Sequence, residues 1–215
     1  MKPRDLGRAL CIITGASKGF GRTLALQLSC LLKPRSVLML VARTTEQLNQ
    51  LKEDIITLYG GQNQLDVCCV QADLEKKEGV EKTVQAAKET SVSEMDHLLL
   101  INNAGAFEFL NDEKFWESMV WGNVRGPWQK HTADNRQRLI SCSECFVIMC
   151  AAGPLDTDMQ LQARLSSGDL QLRRSFSLMF SEGQLLSCEE SGAKLMKLLL
   201  DNDYQSGAHL DFYEL

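Results

Sequence analysis

The chain has 215 residues, 44% of them hydrophobic, with 23 Lys and Arg against 28 Asp and Glu and a formal net charge of −5. This length suits one domain with ample core, and mild acidity without a basic tract argues against nucleic acid as a partner. No apolar stretch reaches the roughly 20 residues of a membrane-spanning helix, and the eight cysteines, in a chain this long without a secretory pattern, point to reduced thiols in the cytoplasm rather than a disulfide framework.

Lys2, Arg4 and Arg8 precede the apolar run Ala9-Leu10-Cys11-Ile12-Ile13. The run imitates a leader but is short and passes directly into a glycine-rich stretch, so it is expected to be the first strand. Thr14 to Gly21 then reads Thr-Gly-Ala-Ser-Lys-Gly-Phe-Gly, and a helix is expected from about Arg22 to Leu32. Strand, glycine turn and helix make a phosphate-binding corner. Glycines let the backbone turn tightly and approach a pyrophosphate, and the helix N-terminus offers N–H groups and a partial positive charge. A purely structural turn is the competing reading, because loops are glycine-rich in any case.

Further along, Val37 to Ala42 reads as a second strand. Leu48, Leu51, Ile55 and Leu58 mark one face of a helix over Thr44–Leu58, closed by Gly60-Gly61. Leu65–Val70 reads as a short buried strand, Leu74–Thr90 as a helix with Val80, Val84 and Ala87 inward, and Leu98–Ile101 as a fourth strand. Alternating strands and helices predict an α/β fold, a parallel sheet with helices on both faces.

The spacing Gly15-x-x-x-Gly19-x-Gly21 resembles the short-chain dehydrogenase/reductase family. Three further matches follow in the family's order: Val37 to Arg43, Ala72-Asp73-Leu74, and Leu98 to Gly105 with its Asn102-Asn103-Ala104-Gly105 signature. Together they cover residues 8–105. The resemblance implies a doubly wound Rossmann-type sheet and a dinucleotide held by Gly15, Ala16, Ser17, Lys18, Gly19, Phe20, Gly21, Arg43, Thr44, Ala72, Asp73 and Asn103. An NAD site ends its second strand in an acid for the ribose 2′-hydroxyl, whereas an NADP site needs a cation for the 2′-phosphate. Arg43 stands there, with Thr44 and Thr45 as added donors and Lys18 as a second cation. NADP(H) is therefore the expected cofactor, against the reading of Arg43 as a solvated strand-end arginine.

The pattern lapses over residues 106–150. This segment holds all three tryptophans, Trp116, Trp121 and Trp128, and a polar stretch at Lys130–Arg138. Cys145–Met149 is compatible with a strand. Asn123 loosely resembles the family's helix-borne asparagine, against coincidence. Cys142-x-x-Cys145, with Cys150 and His131 nearby, lacks the second pair that zinc patterns carry, so no metal is expected.

Resemblance returns at Gly153 to Met159, similar to the family's turn around the nicotinamide end, although Ala152 replaces the usual proline. It implies cofactor contacts from Leu155, Asp156, Thr157, Asp158, Met159 and Gln160. The C-terminus Ser206 to Tyr213, with Gly7-Arg8-Ala9 and Gly19 to Leu24, resembles the pterin-reducing members of the family. That implies a small-molecule pterin substrate, with Gly153 and Asp211 at its site. A carboxylate accepts two parallel N–H bonds from an amino-pyrimidine ring as it does from a guanidinium. Without the resemblance, Asp211 reads as a surface acid.

One part of the implied chemistry is missing. The family protonates the nascent alkoxide with a tyrosine, aided by a lysine four residues on, and orients the carbonyl with a serine. Position 63 after Tyr59 is Asn63, position 208 after Tyr204 is Ala208, and Tyr213 is too near the end. Gly105 and Gly153 are only 48 positions apart, too few for two helices of ~11–12 residues, a strand and their loops. The expectation is one domain over 1–215, its sheet incomplete after the fourth strand, with an internal block absent and no assignable acid. Two functions remain open. One is an NADPH-dependent reductase of pterin side-chain ketones towards tetrahydrobiopterin. The other is an inactive or unstable shortened form that at most binds NADP(H). Most members of the family are dimers or tetramers, so a homodimer is compatible with the resemblance.

Overall fold

β1 (Ala9–Thr14) and β2 (Val37–Ala42) are buried along their whole lengths. Strands covered on both faces read as continuous apolar runs rather than alternating ones, as ALCIIT and VLMLVA do. The computed structural model describes residues 5–58, 65–90, 95–104, 148–202 and 208–214, with backbone alone at 148–151, 208–211 and 214. β3 (Asp66–Gln71) and β4 (His97–Ile101) complete a parallel sheet in the order β3-β2-β1-β4. Its register sets Ile13 beside Leu40 on one side and Ile101 on the other.

Three helices connect these strands: α1 (Gly19–Ser29), α2 (Thr45–Leu58) and α3 (Lys77–Glu89). α4 (Asp158–Ser166), α5 (Leu170–Ser181) and α6 (Cys188–Asp201) follow later in the chain. Side chains alternate across a strand, so the sheet has two packed faces. Cys11, Ile13, Leu38 and Leu40 meet Leu24 and Leu28 of α1, Leu48 and Leu51 of α2, and Leu195 and Leu199 of α6. Leu10, Ile12, Met39 and Val41 meet Val70, with Ala86 and Ala87 of α3 packed against them. The sheet is doubly wound, as expected.

α1, β3 and α3 are among the elements that differ from the expectation. α1 begins at Gly19 rather than Arg22 and ends at Ser29 rather than Leu32, because the glycines of the turn themselves form its first turn. β3 is not buried throughout. Asp66 and Gln71 are exposed, since among the described residues β3 pairs with β2 alone and forms the sheet edge. α3 begins at Lys77 rather than Leu74, because Lys76 N–H bonds the Asp73 carbonyl at 3.1 Å and closes a turn there.

β5 (Ile148–Ala151) and β6 (Ala208–Asp211) pair in parallel as a second sheet, with Ala151 opposite Asp211. Among the described residues no ladder joins this pair to β4. All five residues of β4 are half-buried, whereas those of β1 beside it are buried. Among the described residues the four-stranded sheet thus ends at β4. α6 carries a capping box, in which the Ser187 hydroxyl accepts from Glu190 N–H and the Glu190 carboxylate accepts from Ser187 N–H. α6 lies close on α1, where a Cβ at Gly192 would collide with the Gln27 amide oxygen. α4 and α5 form a helical hairpin, and α5 has no buried residue.

Candidate functional site

The corner between β1 and α1 is built by close approach. Gly15 has φ of +65°, and a Cβ on it would lie 2.9 Å from the Ala104 Cα. A Cβ at Gly21 would collide with the Gly15 carbonyl oxygen and the Asn103 amide nitrogen. Lys18 is the N-cap of α1, extended, with no side-chain hydrogen bond to the helix, and the first turn holds no acid. The positive end of α1 is therefore not neutralised by its own residues, which fits an anionic ligand. Thr157 is the N-cap of α4, its hydroxyl accepting from Gln160 N–H. The Thr157 methyl is 3.7 Å from the position a Cβ on Gly19 would take. Two helix N-termini thus converge on one spot.

A threonine that the motif reading passed over holds this corner to β4. The Thr14 hydroxyl accepts from Asn103 N–H at 2.9 Å and Ala104 N–H at 3.0 Å. It donates to Asn102 Oδ1 at 3.1 Å. One proton and two lone pairs are all a hydroxyl has, so this one is saturated. The Asn103 side-chain amide donates to the Thr14 carbonyl at 3.1 Å and the Gly15 carbonyl at 3.3 Å. Asn103, expected at the cofactor, spends its N–H groups fixing the turn beneath it. Thr14 heads the motif, but its partners are some 90 residues away, so spacing alone could not reveal them.

Arg43 and Thr44 are exposed beyond the end of β2, and Lys18 is exposed in the glycine turn. Arg43 makes no ion pair with any described residue; its carbonyl accepts from the Gln71 side chain at 3.2 Å. Ala16 and Ala72 are buried, and Ser17, Phe20 and Asp73 half-buried. Ala72 N–H bonds the Ala42 carbonyl at 2.9 Å, which brings its turn beside the end of β2. The Asp73 carboxylate accepts from Glu75 N–H at 3.3 Å and pairs with Lys76 at 3.4 Å, so it shapes its own turn.

The turn after β5 lies across the site. Leu155 bridges Leu186, Asp156 N–H bonds the Leu186 carbonyl at 2.9 Å, and Leu186 N–H bonds the Pro154 carbonyl at 2.8 Å. Asp158 and Met159 are exposed in the first turn of α4. Gln160, expected at the cofactor, is buried with its side-chain amide on the Phe176 carbonyl at 3.4 Å, so it faces α5. Arg164 reaches the Asp156 carboxylate at 3.6 Å and lies 3.8 Å over the Phe180 ring. Gly153 has φ of +75°, and a Cβ there would meet Leu186 at 2.7 Å and Phe212 at 3.4 Å. Phe212 directly follows Asp211, so the chain brings the two expected substrate residues to neighbouring strand ends.

The described tyrosine, Tyr213, is exposed, its ring edge-on to Phe212. Asn123, His131, Cys142 and Cys145 lie outside the described residues, as does the side chain of Cys150. Among the described residues no three metal-ligating side chains cluster, Cys11, Cys30, Cys68, Cys69 and Cys188 form no disulfide, and no helix is long and apolar enough to cross a membrane. Burial pushes the Cys11 thiol far up, so it is an inert core group.

The family model described as short chain dehydrogenase matches residues 9–133. The chain belongs to the short-chain dehydrogenase family. The sepiapterin reductase of Rattus norvegicus is 36% identical to this short-chain dehydrogenase family chain over 265 aligned positions, covering 100% of both proteins. That of Bos taurus is 32% identical over 263 positions, covering 99% of this chain and 97% of the bovine protein. The rat alignment runs over 265 positions and this chain has 215 residues, so at least 50 positions have no counterpart here. Both proteins are covered to their ends, so that deficit is internal. In fold, the chain resembles the L-sorbose reductase of Gluconobacter frateurii complexed with NADPH and L-sorbose, at a TM-score of 0.64 and 18% identity, covering 98% of this chain and 97% of that one.

Proposed function

We propose that this chain is an NADP(H)-binding protein of the sepiapterin reductase type, acting in the cytoplasm on pterin side-chain ketones of tetrahydrobiopterin synthesis. The observation that carries the nucleotide part is the convergence of two helix N-termini at Gly19 and Thr157, over a turn where Gly21 has no room for a side chain. Gly15 to Gly21 would cradle the pyrophosphate, and Arg43 with Lys18 and Thr44 would meet a 2′-phosphate. An exposed guanidinium without an ion-pair partner among the described residues suits that role, since its planar fork matches phosphate oxygens. Gly153 and Asp211 would take the amino-pyrimidine ring, and the resemblance of the 206–213 segment supports this. The reduced cofactor would supply hydride to the side-chain ketone.

A second reading is favoured by one observation of the sequence. No tyrosine of this chain has a lysine four residues on, and an internal deficit of at least 50 aligned positions leaves room for a lost block that carried that pair. The chain then holds the nucleotide without an acid to protonate the alkoxide. General acid catalysis is worth about 10²–10⁴-fold in rate. Turnover of sepiapterin with NADPH by the purified chain is therefore expected at least 100-fold below a complete reductase. A normal reductase rate would refute the second reading and require an acid outside the tyrosines.

A further inference from the structure

Two side chains of α6, one turn apart, hold the chain just beyond the two paired strands. The Ser191 hydroxyl donates to the Ala152 carbonyl at 2.7 Å, and Ala152 follows β5. The Lys194 ammonium donates to the Phe212 carbonyl at 2.9 Å, and Phe212 follows β6. Lys194 also lies 3.9 Å over the Phe212 ring, so charge and ring face add to the hydrogen bond. Residues three apart share a helix face, and Ser191 and Lys194 present that face to both carbonyls. Ser191 and Phe212 are buried. Gly153 packs against Phe212 from the β5 side.

The same N-terminal half of α6 is also fixed to α1. Thr23 of α1 donates to the Glu189 carboxylate at 3.4 Å, and Gln27 donates to the Glu189 carbonyl at 3.0 Å. Gly192 allows the close contact with Gln27. Residues 189–194 of α6 therefore touch α1 through Glu189 and Gly192 and the strand ends that carry Gly153 and Asp211 through Ser191 and Lys194.

We infer that Ser191 and Lys194 are positioning residues that set the spacing between Gly153 and Asp211 and so determine how tightly the amino-pyrimidine ring is held. The inference rests on the pterin reading of that site. A mobile pair of strand ends loses affinity because the ring's partners must be ordered on binding, whereas a fixed pair is already in place. Lys194 acts through the Phe212 carbonyl and ring, and Ser191 through the Ala152 carbonyl.

The test uses the full chain and Lys194→Met, which keeps most of the stem and removes the charge, with Lys194→Arg as the conservative variant and Ser191→Ala as the second site. Sepiapterin affinity, NADPH affinity and amide exchange of 151–155 and 208–214 are measured for each. Lys194→Met is expected to weaken sepiapterin binding about 10-fold, the scale of a lost charged hydrogen bond. It should leave NADPH affinity unchanged, and Lys194→Arg should restore most of the loss. Exchange should rise at 208–214 for Lys194→Met and at 151–155 for Ser191→Ala. Unchanged sepiapterin affinity in Lys194→Met overturns the inference, as does a parallel fall of both affinities, which would mark a merely structural role. If the unaltered chain binds no sepiapterin, the pterin reading fails, and the exchange measurement alone then decides whether α6 sets the strand ends.

Discussion

The two parts of this chain differ in how completely they cover themselves. Around β1 and β2 every strand residue is buried, and α1 and α2 contribute Leu24, Leu28, Leu48 and Leu51 at 0% exposure. In the α4–α5 hairpin, Leu165, Leu170, Leu178 and Phe180 are each more than half exposed. The first part closes a core on both faces of a sheet. The second part is a pair of strands, a hairpin with an uncovered apolar surface, and one well-anchored helix, α6. The difference teaches where the internal deficit is felt. The glycine corner needs only β1, β4, α1 and the turn at Thr157, whereas the sheet beyond β4 needs a strand that the described residues do not supply. An uncovered strand edge is also a template for unwanted pairing.

Paired substitutions break this comparison most strongly. Leu40→Ala, in the buried centre of β2, should cost ~2–5 kcal/mol of stability. Leu178→Ala, on exposed α5, should stay within about 0.5 kcal/mol. Chemical denaturation of both variants measures the pair, and similar losses would mean that the hairpin is as well packed as the sheet. A smaller effect is expected at the staple of the corner. Thr14→Val keeps the shape but leaves Asn103 and Ala104 N–H groups without their acceptor, at a cost of ~1–3 kcal/mol. Thr14→Ser should retain the bonds, and a Val variant as stable as the parent would remove Thr14 from the account. The smallest effect concerns binding alone. Arg43→Ala should leave the melting temperature unchanged and weaken NADPH about 10-fold or more, as befits a lost charge-assisted phosphate contact. NADH binding should be nearly unaffected, and equal weakening of both would take Arg43 away from the 2′-phosphate.

What could be read before the fold was known follows the same division. β1, β2 and the glycine corner were legible because continuous apolar runs and fixed glycine spacing encode them locally. The helix start at Gly19 was misjudged because glycine is a poor helix former, yet Gly19 takes a φ of +55° and Gly21 has no room for a Cβ beside Gly15 and Asn103. β3 read as buried because the Val67–Val70 run is apolar, but a strand's place at the sheet edge is set by its neighbours. The inward turn of Gln160 depends on α5, and the roles of Ser191 and Lys194 depend on where two distant strands end, so spacing carries neither. The capping box Ser187-x-x-Glu190 went unread in the sequence, although that spacing is a local signal for the start of α6. The absence of a Tyr-x-x-x-Lys pair was legible outright, since three tyrosines can be checked one by one.

The central claim is that the first part forms a working nucleotide corner despite the internal deficit. Thermal unfolding of the purified chain with and without NADPH tests it most directly. A ligand that binds only the native form raises stability by mass action, about 2.7 kcal/mol at 100 times its dissociation constant. A cooperative transition that moves up with NADPH, and moves less with NADH at equal concentration, is the predicted result. A melt without cooperativity in either sample, or a cooperative one indifferent to NADPH, would contradict it.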